Sequence, residues 1–123
     1  MNEPVPVVLV DALNVLRSTW PNIPERQLVE LCAEWASAHG CRTVVVFDGV
    51  APAGDTGETV ALVSTGAEGA DDWIAREAAR LSKSGAPFWL VTSDRELRAR
   101  AGASAGRTIG GGTFARTLLA SRP

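Results

Sequence analysis

The sequence predicts an α/β fold with a mostly parallel central sheet and helices on both faces, and three observations carry that prediction. Short, β-branched runs recur that are apolar without alternation: VPVVLV at 5–10, TVVVF at 43–47 and FWLVT at 88–92. Strands of this composition are covered on both faces, as parallel strands beneath crossover helices are. Between the runs lie stretches with apolar positions at helical spacing, the alternation expected of a wound α/β sheet. Each run also ends on an aspartate or within two residues of one.

Taken in order, residues 5–10 form the first buried strand, which stops at Asp11, with Asn14 three residues further on. Residues 16–23, LRSTWPNI, are expected as a loop. Pro24 suits a first helical position and Glu25 favours the positive end of a helix dipole. Leu28, Leu31, Cys32, Trp35 and Ala36 then make one apolar helical face, and His39-Gly40 closes it, because glycine accepts the left-handed conformation that ends helices. The second strand, 43–47, runs into Asp48-Gly49, and the loop VAPAGDTGE leads to a third strand, TVALVS, at 59–64. A helix over 70–83, ADDWIAREAARLSK, places Ile74, Ala78 and Leu81 on one face before Gly85 and Pro87. After the fourth strand, 88–92, Ser93 and Glu96 have capping-box spacing, so a helix should open there and end near Gly102. A short fifth strand at 107–109 and a last helix with Phe114 and Leu118, entered through Gly110–Gly112, complete the order.

The 123 residues suit one compact domain. No apolar stretch approaches the roughly 20 residues of a membrane span. The start, MNEPVPVV, lacks the basic region and cleavage-type segment of a secretory signal, so a cytoplasmic protein is expected. Cys32 and Cys41 fit no zinc pattern and read as reduced packing residues. Neither a Walker-type glycine loop nor a Ser-His-Asp grouping is present, and the lone histidine, His39, reads as a helix-end residue. Net charge is -2, so bulk charge does not advertise a nucleic-acid partner. The distribution is less even: Arg95, Arg98, Arg100, Arg107, Arg116 and Arg122 crowd the end of the chain, where only Asp94 and Glu96 oppose them. An acidic chain can therefore still turn a basic flank to a phosphate backbone.

Asp11 follows the first strand, Asp48 the second and Asp94 the fourth, while Asp71 and Asp72 open the helix after the third. Parallel strands put their carboxyl ends on one rim, and ligands of open α/β sheets bind beyond that rim. An aspartate after a strand is often only a turn or cap residue. Acids gathered from separate segments instead repel one another and call for protons, basic partners or a cation. Mg²⁺ and Mn²⁺ bind oxygen donors of this kind, and so held they activate water toward phosphodiesters. Asn14 is placed to orient a ligand or a metal-bound water. Arg17 and Arg95 stand where they would meet phosphate, with solvated side chains as the plainer reading. Gly110–Gly112 read as a flexible helix entry rather than a phosphate cradle. Trp20, in a polar loop, is either a base-stacking surface or the cover of a helix end; Trp35, Trp73 and Trp89 read as packing residues.

VVLVDALNVLRS, VVVFDG, GADDWIAREA and LVTSDRELRARA occur in the order seen in NYN domains, and the chain resembles the YacP-like branch of the PIN-like nuclease superfamily. GGGTFARTLLA resembles the final helix of that branch. The resemblance covers nearly the whole chain and implies a single PIN-like NYN domain over 1–123 with a Rossmann-like PIN fold. It implies a divalent-metal-dependent RNA endonuclease using Mg²⁺ or Mn²⁺, with RNA as the partner. Residue by residue, Asp11, Asp71 and Asp94 match the metal-binding acids and Asp48 matches a further acid beside them. Asp72 adjoins the matching position, Asn14 matches the family's asparagine, and Ser93 matches the polar residue before the last acid. Asn14, Arg17, Ser93 and Arg95 form the expected substrate-binding set. Two rivals remain: a non-catalytic RNA- or ribosome-associated module of the same fold, and a phosphatase or phospho-acceptor domain with Asp11 as nucleophile. The latter lacks the second acid two residues on, where Leu13 stands, and has only Lys83 as a lysine.

Overall fold

A computed structural model describes residues 6–120. The expectation against a secretory signal, Val5 of the first strand and Arg122 of the basic tail lie outside these residues. Within them the chain runs β1 (Val7–Asp11), α1 (Ala12–Arg17), α2 (Glu25–His39), β2 (Arg42–Phe47), β3 (Val60–Ser64), α3 (Ala70–Ser84), β4 (Phe88–Val91), α4 (Arg95–Ala101), a 3-10 turn at Gly102–Ser104, β5 (Arg107–Ile109) and α5 (Gly111–Ala120).

The five strands form one sheet in the order β3-β2-β1-β4-β5, with every neighbouring pair parallel. The chain therefore starts at the centre, builds outward to β3, and returns to lay β4 against the other side of β1. Asp11 pairs in register with Val46, and Val10 with Val91, so the tips of β1, β2 and β4 stand side by side.

Both faces of the sheet are covered, which is why its strands are apolar at successive positions. Val8, Val10, Val45 and Val91 pack with α1, α2 and α5 on one side, around Leu28, Trp35 and Phe114. Leu9, Val46 and Leu90 face the other way, onto Ile74 and Leu81 of α3 and Leu97 of α4. Trp35 meets the Phe114 ring edge-on at 5.0 Å, a favoured aromatic arrangement. Cys32 and Cys41 are free and buried. Among the described residues no helix is long and apolar enough to cross a membrane.

Three local expectations are corrected. Leu16 and Arg17, the first two residues of the loop expected at 16–23, belong to α1, whose Ala12 and Val15 are buried one turn apart. Pro24 is the cap of α2, with extended backbone, rather than its first helical residue; Gly40 closes that helix at a left-handed φ of 63°. The cap of α4 is Asp94, not Ser93: its Oδ1 accepts the Leu97 N–H at 3.0 Å. A carboxylate beside a first turn outcompetes a hydroxyl one residue earlier, since it carries charge to the positive end of the helix.

Candidate active site

The sheet order creates a crevice where β1 and β4 part company, the position at which open α/β sheets bind ligands. Asp11 ends β1 there, and Asp94 stands three residues past the end of β4. Asp48 follows β2 directly, and Asp71 comes from the first turn of α3. All four line one cleft of about 290 Å³, together with Leu13, Asn14, Arg17 and Ala70.

The tip of β4 locks the cleft floor. Thr92 is fully buried, and its hydroxyl donates to Asp11 Oδ2 at 3.0 Å while accepting the Asp94 N–H at 3.1 Å. One side chain thus ties two of the acids together. Asn14, which lines the cleft, accepts the Ser93 N–H through Oδ1 at 2.9 Å, a bond that does not use its amide nitrogen. Ser93 Oγ accepts the Gly111 N–H at 2.8 Å. Gly111 has to be glycine, because a Cβ there would stand 2.1 Å from Asn14 Oδ1.

Burial raises the Asp11 carboxyl above its ordinary value. The Thr92 hydroxyl and the Asn14 backbone amide pull it down, and the negative charges of Asp94 and Asp71 push it up again. The two other acids are thus close enough for their fields to be felt at Asp11. Asp72 is turned elsewhere: its Oδ1 accepts from the Arg100 guanidinium at 2.8 Å, pinning α3 to α4. The neighbouring acids therefore differ in placement, Asp71 toward the cleft and Asp72 toward α4. Of the substrate-contact residues expected from sequence, Asn14 and Arg17 line the cleft; Ser93 and Arg95 do not.

The donor set is hard oxygen throughout, the chemistry that suits Mg²⁺ or Mn²⁺. As the side chains lie, no three His, Cys, Asp or Glu groups among the described residues are gathered tightly enough to hold a metal ion. The reason is local: Asp11 is drawn to Thr92, Asp94 to the Leu97 amide, and Asp71 Oδ1 to the Asp72 N–H at 3.1 Å. Asp71 and Asp94 each keep a second oxygen that none of these bonds uses. The residues thus fit the cation in chemistry, and side-chain rotation would have to supply the rest.

Thr92, which links Asp11 to the Asp94 backbone, is the position in this cluster that sequence reasoning missed. A threonine closing a β-branched strand reads as a strand former, and only its position before Ser93-Asp94 hinted at more. Among the tryptophans, Trp35 is buried and Trp73 and Trp89 are half-buried, whereas Trp20 is 88% exposed and covers no helix end. His39 stacks on Trp35 at 4.8 Å, and its Nδ1 lies 2.9 Å from the Trp35 carbonyl, a helix-end role.

The YacP-like NYN domain family matches residues 8–118. Among solved structures, Rae1 (YacP) from Bacillus subtilis is similar over 93% of this chain and 74% of its own, with a TM-score of 0.72 and 24% sequence identity. A tryptophan-to-leucine mutant of that protein gives a TM-score of 0.73 and 22% identity over the same shares. At such identities the likeness is one of fold. No curated protein matches the chain.

Proposed function

The chain belongs to the YacP-like NYN domain family and has its nuclease-type fold, and from this premise we propose that it is a divalent-metal-dependent RNA endonuclease. One observation carries the reading: Asp11, Asp48, Asp71 and Asp94, drawn from four separate segments, line a single cleft at the switch point of the sheet. A structural role for each acid alone would not require that convergence.

In this reading Asp11, Asp71 and Asp94 hold Mg²⁺ or Mn²⁺ through carboxylate oxygens. When bound, the cation supplies neutralising charge at the phosphate and a more acidic water. Thr92 fixes the Asp11 carboxylate so that one oxygen faces the cleft. Asp48, exposed at its edge, accepts a proton from the attacking water. The Asn14 amide nitrogen and the Arg17 guanidinium donate to phosphate oxygens, which offsets the field of the acids on an anionic substrate. Hydrolysis adds the water oxygen to phosphorus, breaks the bond to the 3′ oxygen and protonates that oxygen, leaving 5′-phosphate and 3′-hydroxyl ends. One cytoplasmic domain, residues 1–123, holds every group in this account.

The test is incubation of the purified chain with Mn²⁺ or Mg²⁺ and end-labelled single-stranded and structured RNA. Cleavage is expected, and Asp94→Asn should slow it by roughly 10²-fold or more, the scale of losing one charge-stabilising group. Intact RNA together with no Mn²⁺ binding by calorimetry would refute the reading.

A second reading, an RNA- or ribosome-associated binding module without catalysis, is favoured by the acids' lying too far apart, as placed, to hold a metal. RNA binding without cleavage, unchanged in Asp94→Asn, would select it.

A further inference from the structure

The arginines of this chain are not equally engaged. Among the described residues the ion pairs are Arg76–Glu68, Arg80–Glu77 and Arg100–Asp72, all anchored on α3. Arg98 and Arg116, by contrast, have no carboxylate partner among the described residues. Arg98 is aimed by its backbone anchor, with Nε donating to the Thr92 carbonyl at 2.9 Å. Arg116 donates to Thr113 Oγ1 at 3.3 Å. Their heads stand at the two ends of the Gly110–Gly112 turn. A Cβ on Gly110 would lie 3.5 Å from Arg98 Nη2, and one on Gly112 would lie 3.6 Å from Arg116 Nη1.

That turn has one glycine more than the fold explains. Gly111 is demanded by Asn14, but Gly112 has no positive φ, and its Cβ would meet nothing closer than the Arg116 head. Glycine where neither backbone conformation nor packing requires it is what close approach of another backbone calls for. The same bare turn borders the end of α1, since the Gly112 Cβ would stand 3.9 Å from Ser18 Oγ. Two residues beyond Ser18 is Trp20, the most exposed of the large apolar side chains at 88%. Glycine backbone between two guanidiniums without carboxylate partners, with an exposed indole two residues past Ser18, matches the phosphates and bases of a single strand in charge and shape.

We propose that single-stranded RNA leaves the acid cleft across the Gly110–Gly112 turn, its phosphates between Arg98 and Arg116 and a base stacked on Trp20. This deepens the nuclease reading and rests on it for the nature of the strand. The track also accounts for how a chain of net charge -2 holds an anion, since the basic groups needed are concentrated along one exit.

The experiment measures binding of a short fluorescein-labelled single-stranded RNA to the full chain in EDTA, so that cleavage does not enter. The variants are Arg116→Glu, Trp20→Ala and, as a control of equal charge change, Arg42→Glu, at the start of β2 and so at the end of the sheet opposite the acid rim. Arg98 is left intact because it also supports Thr92. Thermal melts should be unchanged for all three exposed positions. Arg116→Glu is expected to weaken binding about tenfold and to lower the slope of log K against log salt by about 0.7 for each phosphate it no longer neutralises. Trp20→Ala should weaken it by about five- to a hundredfold with the slope kept. Arg42→Glu should bind as wild type. Equal losses in Arg116→Glu and Arg42→Glu, or wild-type binding in Arg116→Glu, would overturn the track. RNA binding that depends on Arg116 and Trp20, with no cleavage in Mn²⁺, keeps the track and refutes the nuclease reading. Cleavage by a wild type whose binding ignores both residues does the reverse.

Discussion

Asp11 is held at the tip of β1 in a setting that opposes its own charge. Its folded pKa lies above the ordinary 3.8, chiefly through burial, so the folded chain binds that proton more tightly than the unfolded one. The stabilising contribution is therefore fully present below pH 3.8 and is lost as pH climbs through the raised value. Asp11→Asn keeps an oxygen for the Thr92 hydroxyl and removes the buried charge. It should stabilise the protein at neutral pH by about 1 kcal/mol, seen as a higher melting temperature, while abolishing RNA cleavage. A melting temperature that falls would mean the carboxylate is stabilising as placed. The neighbouring pair at the start of α3 gives a second prediction. Asp71→Asn should lower cleavage by roughly 10²-fold, the cost of losing a charge-stabilising group. Asp72→Asn should cost at most the ~1 kcal/mol of an exposed ion pair and leave the cleavage rate alone. Sequence made each of these acids visible as a polar end to an apolar run. The apolar pattern could not divide Asp71 from Asp72, and only the family resemblance favoured Asp71, because which of two adjacent carboxylates turns to Arg100 depends on α4 packing beside α3, an approach of residues 28 positions apart in the chain.

At the scale of elements, the strands and long helices were readable because their apolar periods are forced by burial on two faces or one. α1 was not. Its six residues are too few for a periodic signal, and Asp11, its N-cap, reads in sequence as the polar end of the first strand. The capping-box spacing of Ser93 and Glu96 misled for a related reason. Ser93 is engaged by Gly111 and Asn14, both remote in sequence, and Asp94 takes the helix end instead. The entry to α5 joins these pieces, which makes Gly111 the position to test. Gly111→Ala would drive a methyl into Asn14 and unseat its bond to the Ser93 amide. Overpacking of this kind costs about 1–3 kcal/mol, so the melting temperature should fall. RNA cleavage should fall beyond what the remaining folded fraction explains, because Asn14 loses its orientation. An alanine variant with wild-type stability and rate would show that the clasp between α1, β4 and α5 is dispensable.

For the molecule as a whole, the α/β class was legible in the continuous apolar strands, and the rim of acids in their common position after those strands. The strand order β3-β2-β1-β4-β5 was not, since nothing local records that the chain returns from β3 to the other side of β1. Yet that return brings Asp94 beside Asp11 and opens the cleft at the switch point. The division of charge likewise emerges only in three dimensions: every ion pair among the described residues involves α3, while Arg98 of α4 and Arg116 of α5 have no carboxylate partner there. The central claim is that the sheet gathers Asp11, Asp71 and Asp94 to hold a divalent cation. Anomalous difference density from a crystal soaked in Mn²⁺ tests it most directly. A peak is expected in the cleft within about 2.0–2.6 Å of oxygens from Asp11 and Asp94, with Asp71 rotated toward it; a cleft without a peak at saturating Mn²⁺, its acids still bound to Thr92 and the Leu97 amide, would contradict a divalent-cation site there.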